Sequence, residues 1–418
     1  MSIDLSAPPE RPGTWESPDE YWPLLTEATA ELDPPLAVLD LDALAYNAHD
    51  LRRRAGTTPV RVASKSVRSR AVLDAVLALD GYAGVLAYTL AEALWLAEGD
   101  DLYPPVGDVV VAYPTVDRAA IARLARSPEL AARVTLMVDS VEQLDLVDQV
   151  APARCREVLR VCLDLDASWR PPGLGHLGVR RSPIHTAEQA RVLAEAITAR
   201  QGFTLVGLMS YEAQIAGVGD AVPGSRLRSG AVRWVQRRSK QELLDRRRSA
   251  VAAVRSISDL EFVNGGGTGS LEFTASDPSV TEVAAGSGLF GSHLFDCYRA
   301  FSPAPAASFA LPVVRKAAPH IATLLGGGWI ASGPPGKDRV PLPVWPQGLR
   351  LLPAEMAGEV QTPVAGTAAA TLRVGDRVWF RHSKAGELSE HVDEFTVVHR
   401  GQAVDEIPTY RGEGKAFL

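Results

Sequence analysis

The chain has 418 residues, of which 46% are hydrophobic and 22% charged, and its formal net charge is -7. This composition is typical of a globular protein with one large and one smaller domain, and an acidic chain lacks the basic face that nucleic-acid binding requires. No uninterrupted apolar run approaches the roughly 20 residues that cross a bilayer, so no membrane span is predicted.

Cysteine usage and the start of the chain bear on its compartment. Residues 1–4 are polar and acidic and lack the apolar core of a secretion signal. The three cysteines, Cys155, Cys162 and Cys297, are odd in number and lack the spacing of metal ligands. Both features predict a reduced, cytoplasmic protein.

Along the chain, short apolar runs alternate with amphipathic helical segments. A strand at 35–42 and a helix at 43–54 come first, and eight further apolar runs follow. Apolar strands that alternate with helices indicate a parallel sheet buried on both faces. Eight runs fit a closed (β/α)8 barrel better than an open sheet, which typically has fewer strands. The eight predicted strands are residues 60–63, 84–88, 109–113, 134–138, 158–165, 205–209, 261–264 and 281–285.

A change of pattern marks a second domain. From about residue 310 the helical period disappears, Gly and Pro become frequent, and short alternating runs predict antiparallel strands with tight turns. The predicted organisation is therefore an arm at 1–34, a barrel at 35–305 and a C-terminal, mostly β domain at 306–418. The strand at 35–42 fits either the barrel or the C-terminal domain.

The segment 226–248 is crowded with arginine, a composition that also occurs in phosphate- and RNA-binding helices. Glu242 and Asp245 interleave with these arginines, and the chain as a whole is acidic. We therefore interpret the segment as the solvated face of a helix.

Lys65 comes directly after the first predicted barrel strand, in the sequence PVRVASK at 59–65. The carboxyl ends of the strands are where (β/α)8 barrels keep their chemistry. A lysine in a partly dry pocket can lose its proton and form an imine with an aldehyde. A solvated lysine at a strand end is the commoner outcome, so this assignment depends on other residues.

Two glycine-rich turns follow the last two predicted barrel strands, NGGGTGS at 264–270 and AGSG at 285–288. Backbone N–H groups and hydroxyls in such turns form an anion cradle, and barrel enzymes often bind phosphate with these two loops. Neither turn is a Walker loop or a Rossmann fingerprint. In a closed barrel the eighth strand lies beside the first, so a phosphate-bearing aldehyde held there would present its carbonyl to Lys65. Pyridoxal 5'-phosphate is the cofactor with that shape.

These features resemble the fold-type III pyridoxal-phosphate enzymes, the alanine racemase-like barrels, and within them the D-threonine aldolase and D-serine dehydratase branch. The resemblance covers about residues 35–412 and rests on Lys65 with Arg61 four residues before it, on Asn47 after an Asp-Leu-Asp sequence, and on the turn at 265–268. It implies that Lys65 forms the Schiff base with the cofactor and acts as a base at one face of Cα, and that the protein is a homodimer. It also implies that Tyr211 is an active-site tyrosine. The residues that it assigns to the cofactor are Lys65, Arg61, Tyr211, Gly266, Gly267, Thr268, Gly286 and Ser287.

The chain departs from the family near the pyridoxal hydroxyl. Where the family places an arginine, this chain has His176 in the sequence GHLGV. A histidine can make the same hydrogen bond, and Arg180 or Arg181 are the alternatives.

The resemblance further implies a cation in the β-domain, because aldolase and dehydratase relatives bind a divalent metal through a His-x-Asp or His-x-Cys pair. The best positional match is His382 with Lys384, where an ammonium would occupy the cation site without a metal. The other match is His391 with Asp393, two ligand types that a strand would present on one face to Mn, Zn or Mg. We expect the lysine arrangement and keep the metal as its alternative.

The sequence therefore predicts a pyridoxal-phosphate-dependent lyase of D-amino acid metabolism that acts on D-β-hydroxy amino acids, by retro-aldol cleavage or dehydration. An amino-acid racemase of the same fold is one alternative, and it would need a second base from the facing subunit. A non-catalytic pyridoxal-phosphate-binding protein is another, although such proteins resemble the bare barrel. A barrel that binds some other phosphorylated ligand is the last.

Overall fold

The computed structural model describes residues 3–7, 13–333, 336–384 and 386–418, and residues 1–2 and 8–12 of the predicted arm lie outside this range. The chain forms two compact units. The first, which we call the sheet unit, comprises Met1–Asp50, Lys65–Leu79 and Gly286–Ala416. The second, the barrel unit, comprises Leu51–Ser64, Asp80–Ala285 and Phe417–Leu418.

Eight parallel strands close a barrel within the described part of the barrel unit. The second strand of the chain is hydrogen-bonded to the third on one side and to the ninth on the other, which closes the ring. The predicted (β/α)8 barrel is confirmed. Numbered along the chain, the barrel strands are β2 (Val60–Ala63), β3 (Tyr82–Ala87), β4 (Val109–Val111), β5 (Val134–Val138), β6 (Leu159–Asp164), β7 (Phe203–Ser210), β8 (Phe262–Gly265) and β9 (Glu282–Ala285).

Helices of the barrel unit connect these strands, and several begin at a side-chain cap. Asp117 accepts the N–H of Ala120 at 3.0 Å, and Thr186 with Gln189 forms a capping box before residue 187. Such caps satisfy N–H groups that the first helical turn leaves unpaired. The helices are α4 (Leu90–Glu98), α5 (Arg118–Arg126), α6 (Pro128–Arg133), α7 (Val141–Val150), α8 (Ala187–Thr198), α9 (Ala213–Ala216), α10 (Arg226–Arg255) and α11 (Leu271–Ala275).

Nine strands form one sheet in the described part of the sheet unit. β1 pairs antiparallel with β10 and parallel with β16, so the strand near residue 36 belongs to this sheet. The sheet contains β1 (Leu36–Asp40), β10 (Ala307–Ala318), β11 (Ile321–Leu325), β12 (Leu342–Trp345), β13 (Arg350–Leu351), β14 (Gln361–Ala365), β15 (Arg377–Arg381), β16 (Glu394–His399) and β17 (Gln402–Pro408).

Few helices accompany this sheet. α1 (Pro18–Ala28) packs Trp22 and Leu25 against Trp379 and Val38. α3 (Arg70–Leu77) and α12 (Ser287–Phe290) also belong to the unit, and α2 (Leu41–Ala55) begins in it. None of the helices in the described part of the chain combines the length and hydropathy needed to cross a membrane.

The arginine-rich segment lies in α10, and Arg247 departs from the predicted solvated face. Arg228, Arg237 and Arg248 are exposed, as expected, but the side chain of Arg247 is completely buried. A buried guanidinium requires charged partners, because desolvation of an unpaired charge is too costly. Those partners lie at the candidate site.

Candidate active site

Three neighbouring strands of the barrel lead into the predicted site segments. β2 pairs with β9, with Val62 opposite Ala285, and β9 pairs with β8, with Val283 opposite Gly265. Because the strands are parallel, their carboxyl ends meet at one edge of the barrel. β2 therefore leads into the 3-10 turn Ser64–Ser66 that contains Lys65, β9 into Gly286, and β8 into the glycine turn.

Residues of the β-domain hold the backbone around Lys65 within the sheet unit. The carbonyl oxygen of Lys65 accepts a hydrogen bond from Nε of Arg68 at 3.0 Å. A Cβ on Gly386 would lie 2.1 Å from that same oxygen, so only glycine permits this approach. Ser389 donates its hydroxyl to the carbonyl of Val67 at 2.8 Å. The C-terminal residues thus fix the segment that carries the predicted Schiff-base lysine.

A buried carboxylate anchors the glycine turn in the barrel unit. Glu212 follows the end of β7 by two residues, and its side chain is fully buried. It accepts the N–H of Gly266 at 3.1 Å and the hydroxyl of Ser270 at 3.1 Å, and the hydroxyl of Thr274 also donates to it. These bonds join the residue after Tyr211 to both ends of the glycine turn.

Arg247 of α10 balances the charge of Glu212. Its guanidinium donates to Glu212 and to Asp277 at 3.0 Å each, and to the hydroxyl of Ser210 at 2.8 Å. The side chains of all three charged residues are at least 99% buried. One cation between two carboxylates, with hydroxyl and amide donors, satisfies a network that would otherwise be very costly to bury.

The glycine turn fits a phosphate-bearing ligand by its shape. Gly266 has a φ of +87°, and a Cβ on Gly267 would lie 3.1 Å from Cε2 of Tyr211 and 3.2 Å from Cβ of Ala216. Bare backbone at a rim turn gives an anion close access to N–H groups. The Gly266 N–H itself is already bound to Glu212, so this residue has a structural role, and the Gly267 N–H donates to the hydroxyl of Ser270 at 3.3 Å.

The second predicted cradle begins at Gly286, directly after β9. Ser287 is the first residue of α12. Asn47 holds this short helix in the sheet unit, since its amide donates to the carbonyls of Leu289 and Ala304 at 2.8 Å each. Asn47, one of the residues on which the family resemblance rests, therefore acts by holding α12 in place.

Tyr211 lies at the end of β7, beside a cation. The guanidinium carbon of Arg181 is 5.8 Å from the ring centre of Tyr211 and 5.4 Å from that of Tyr113. Burial raises the pKa of Tyr211 to about 12, although the charge of Arg181 acts in the opposite direction. The phenol is therefore protonated at neutral pH and has a proton to donate in a hydrogen bond.

Of the three residues proposed near the pyridoxal hydroxyl, Arg181 lines the same small cavity as Tyr211, which we call the mouth cavity. His176 makes a hydrogen bond within its own loop, with Nε2 2.9 Å from the carbonyl oxygen of Val179. Arg180 lines the adjoining surface. This geometry favours Arg181 over His176 for that position.

Arg61 has partners other than the expected cofactor. Its guanidinium donates to Glu282 at 2.7 and 2.8 Å and to Asp108 at 2.7 Å. Glu282 is the first residue of β9 and Asp108 precedes β4, so this cluster lies at the amino ends of the strands. Burial lowers the pKa of Arg61, but the two carboxylates outweigh it and hold the pKa above its usual value. The cluster pairs a buried cation with two carboxylates inside the barrel.

Asp164 was not anticipated, although it lies at the end of β6 and lines the mouth cavity. Its carboxyl group interacts electrostatically with Asp139, Asp166 and Arg181. Burial, and to a smaller extent the charge of Asp139, raises the pKa of Asp164 to about 7, although the charge of Arg181 acts in the opposite direction. The group thus changes its charge near neutral pH.

Because of this raised pKa, the ionisation of Asp164 makes the stability of the fold depend on pH. The folded-state pKa of Asp164 lies above its unfolded value of 3.8, so ionisation disfavours the fold and stability falls as the pH rises through about 7. We expect Asp164→Asn to gain on the order of 2–4 kcal/mol relative to the native chain between about pH 5 and pH 8. Urea unfolding at both pH values measures this difference. Asp145→Asn, at a half-exposed ion pair, is the control, and parallel pH profiles for Asp164→Asn and the native chain would contradict the assignment.

Of the two candidate cation sites in the sheet unit, the pair His391 and Asp393 departs from the arrangement predicted from the sequence. His391 lies outside a strand, just before β16, and its ring stacks on Trp329 with the centroids 5.3 Å apart. Asp393 pairs instead with Arg411 at 3.0 Å. The structure therefore gives these two residues separate partners, because they do not share a strand face.

His382 is buried beside a cationic neighbour along the chain. Burial and the charge of Arg381 lower the pKa of His382 to about 3, so the ring is neutral. Lys384, two residues on, reaches the carbonyl oxygen of Ser332 with its ammonium at 3.4 Å. No group of three His, Cys, Asp or Glu side chains that could hold a metal occurs within the described residues. Neither His382 with Lys384 nor His391 with Asp393 therefore offers the donor set of a metal site.

Sequence reasoning missed Glu212, Arg247 and Asp277 as one network. An acidic residue directly after the predicted active-site tyrosine was the available signal for Glu212. The sequence offers no such signal for Arg247, because nothing in α10 distinguishes it from an exposed arginine such as Arg248 before the helix is packed.

Comparisons with known proteins agree with this architecture. Among solved structures, D-threonine aldolase from Filomicrobium marinum superposes with a TM-score of 0.75 at 20% identity, covering 93% of this chain and 97% of that one. D-threo-3-hydroxyaspartate dehydratase from Delftia sp. HT23 has a TM-score of 0.67 at 19% identity, covering 92% and 98%. At these identities the likeness shows the fold alone.

Sequence relatives carry related names. The 3-hydroxy-D-aspartate aldolase of Paracoccus denitrificans is 29% identical over 263 residues, covering 62% of this chain and 61% of the relative. The D-threonine aldolase of Arthrobacter sp is 27% identical over 274 residues, covering 62% of each. The match thus spans about three fifths of these relatives. The family model for the alanine racemase N-terminal domain matches residues 39–293, more than half of the chain, and the chain therefore belongs to that family.

Proposed function

We propose that this protein is a pyridoxal-phosphate-dependent lyase that acts on D-β-hydroxy amino acids. The observation that carries the proposal is the adjacency of β2, β9 and β8, which lead into Lys65, Gly286 and the glycine turn. Pyridoxal 5'-phosphate is the cofactor of the family to which the chain belongs. The names of the sequence relatives, 3-hydroxy-D-aspartate aldolase and D-threonine aldolase, support the same class of substrate.

The residues at the ends of four barrel strands would hold the cofactor. Bound there, pyridoxal phosphate would supply an electron sink for negative charge at Cα of an amino acid. Lys65 would supply the amine that holds its aldehyde, and Gly267, Thr268 and Ser287 the donors for its phosphate. The protonated Tyr211 would donate a hydrogen bond inside the mouth cavity.

The same substrate can undergo either of two reactions. In retro-aldol cleavage the β-hydroxyl gives up its proton, the Cα–Cβ bond breaks with its electron pair at Cα, and Cα then takes a proton, giving glycine and an aldehyde. In dehydration Cα loses a proton and the β-hydroxyl leaves as water. Addition of water to the resulting unsaturated amine then gives a keto acid and ammonia. Lys65 is the proposed base at one face of Cα, and Lys384 the proposed cation that polarises the hydroxyl.

A substrate panel tests this proposal. Purified protein, loaded with pyridoxal phosphate, is incubated with D-threonine, D-serine, 3-hydroxy-D-aspartate and D-alanine, and aldehyde, keto acid and ammonia are followed. We expect aldehyde or keto acid from at least one hydroxy amino acid and no interconversion of D- and L-alanine. Parallel reactions with Mn²⁺ and with a chelator report whether an added metal contributes. Racemised alanine without lyase products would instead establish the racemase alternative.

We also propose that the protein is a homodimer in the cytoplasm. The family resemblance supports the dimer, and the free state of all three cysteines is consistent with a reducing compartment. Light scattering coupled to gel filtration measures the mass, for which we expect twice the 44.7 kDa of one chain.

A further inference from the structure

Arg68, three residues after Lys65, has a backbone conformation that residues with a side chain rarely adopt. Its φ is +52°, in the left-handed region that favours glycine, and Arg400 shares this conformation with a φ of +50°. Such strain persists in a folded chain only where surrounding contacts impose it, and it is concentrated at functional sites. The reason for the strained conformation therefore lies in the contacts of Arg68.

Contacts with the C-terminal part of the sheet unit hold Arg68 in place. Its carbonyl oxygen accepts the N–H of Tyr410, a fully buried residue, at 2.8 Å. Its guanidinium forms an ion pair with Glu390, and the side chain of Arg68 is only 14% exposed. The next residue, Ser69, donates its hydroxyl to the carbonyl of Pro408 at 3.0 Å. Main chain and side chain are both fixed, so the fold imposes the strained conformation.

The same guanidinium also holds the main chain of Lys65. Its Nε donates to the carbonyl oxygen of Lys65 at 3.0 Å, so the bond runs back along the chain into the 3-10 turn. Gly386 lies against both partners, since a Cβ there would be 2.1 Å from this oxygen and 3.1 Å from Nε of Arg68. Glycine at position 68 would relieve the strain but could not make this hydrogen bond. Arg68 therefore keeps an unfavourable backbone at the place where its side chain binds the main chain of the predicted Schiff-base lysine.

We propose that Arg68 is a positioning residue for Lys65: its guanidinium fixes the main chain of the lysine and thereby the direction in which the amine projects. This inference rests on the proposed function, in which that amine holds the cofactor aldehyde. Attack of an amine on a carbonyl carbon requires a narrow range of distance and angle, so a loose turn lowers the rate without removing any reacting group. A residue that serves only stability would instead slow the reaction only as far as it weakens the fold.

Two substitutions of Arg68 separate positioning from stability. Arg68→Ala and Arg68→Gly both remove the guanidinium, but only glycine accommodates a φ of +52° without strain. We expect Arg68→Gly to melt about 1–4 °C above Arg68→Ala. Both should attach pyridoxal phosphate about 10- to 100-fold more slowly than the native chain, measured as the second-order rate at which absorbance near about 420 nm appears. Arg68→Lys keeps a cation beside Glu390 and should recover part of the rate. A native rate in Arg68→Gly would overturn the inference, because the arginine would then act through stability alone.

Arg400 offers a matched control in the same unit. It follows β16, and its backbone N–H, which alanine and glycine retain, donates to Asp42 at 3.0 Å. Arg400→Gly should likewise be more stable than Arg400→Ala, because this position also has a positive φ. Both variants should attach the cofactor at the native rate. A comparable slowing in either of them would contradict a role specific to Arg68.

Hydrogen exchange of the cofactor-free chain distinguishes failure of this inference from failure of the proposed function. We expect the backbone amides of residues 65–68 to exchange at least about threefold faster in Arg68→Gly than in the native chain, and those of residues 400–402 to be unchanged. Faster exchange supports the positioning role even if the native chain attaches no pyridoxal phosphate, in which case only the proposed function fails. Native exchange at residues 65–68 in this variant would overturn the inference, whatever the activity.

Discussion

Replacement of Lys65 by alanine should lower the turnover of every D-β-hydroxy amino acid by at least about a thousandfold, which corresponds to roughly 4 kcal/mol in the activation barrier. The physical reason is that the amine is the proposed point of attachment for the cofactor aldehyde and a base at Cα, and no neighbouring side chain replaces both roles. The variant should fold normally, because the lysine side chain is only half-buried and its backbone contacts with Arg68 persist. Steady-state kinetics with the best substrate of the panel measures the loss.

Lys65→Arg is the matched control for charge. It keeps a cation at the end of β2 but cannot form an imine, so it should be as inactive as Lys65→Ala. The loaded native protein should absorb at about 420 nm, and borohydride should remove this band and add the mass of the cofactor to the peptide that contains residue 65. Substantial activity in either variant, or cofactor mass on another peptide, would end the assignment of Lys65.

Glu212→Gln should destabilise the fold more than the other substitutions do, and it should selectively weaken the binding of the cofactor phosphate. Loss of this buried carboxylate leaves Arg247 with Asp277 as its charged partner and weakens the anchor of Gly266. Removal of one partner from a buried ion pair typically costs about 3–5 kcal/mol, equivalent to a melting temperature lower by about 6–20 °C for a unit of this size. Calorimetry measures this change, and Glu261→Gln, at an exposed pair with Arg160, should alter stability by about 1 kcal/mol or less.

The cofactor readout distinguishes an anchor of the phosphate turn from a general structural role. The dissociation constant for pyridoxal phosphate should rise at least about tenfold in Glu212→Gln, whereas that for pyridoxal, which lacks the phosphate, should change little. If Glu212→Gln does not fold, Ser270→Ala removes a single hydrogen bond to the same carboxylate and should give a smaller effect in the same direction. Equal weakening of both ligands would show that the network does not act on the turn.

Local patterns predicted most of the barrel and the placement of its rim residues. Runs such as β4 and β5 are buried throughout and bounded by helical segments, and this alternation is legible without any tertiary contact. Lys65 follows the last residue of β2 by two positions, and the glycine turn begins at the end of β8, as the sequence spacing indicated. These positions depend only on where a strand ends, which is a local property.

Pairings between distant residues could not be predicted. Glu212 and Gly266 are 54 positions apart, and Arg61 and Glu282 are 221 apart, so no periodicity connects them. The raised pKa of Asp164 likewise depends on burial beside Asp139, which only packing creates. The same holds for Arg61, whose position in the sequence matched a cofactor contact but whose side chain points to carboxylates at the amino ends of strands.

By itself, the sequence determined the alternation of strands and helices, the strand that leads into Lys65 and the two glycine turns, because hydrophobic period and glycine content act over a few residues. Tertiary structure decided that β1 joins the sheet of β10 and β16, since its five buried residues have the same apolar pattern as a barrel strand. It also decided which arginines are paired with carboxylates, as Arg61 is with Glu282 and Asp108. Charge pairing depends on separation through space, and the chain acquires those separations only when it folds.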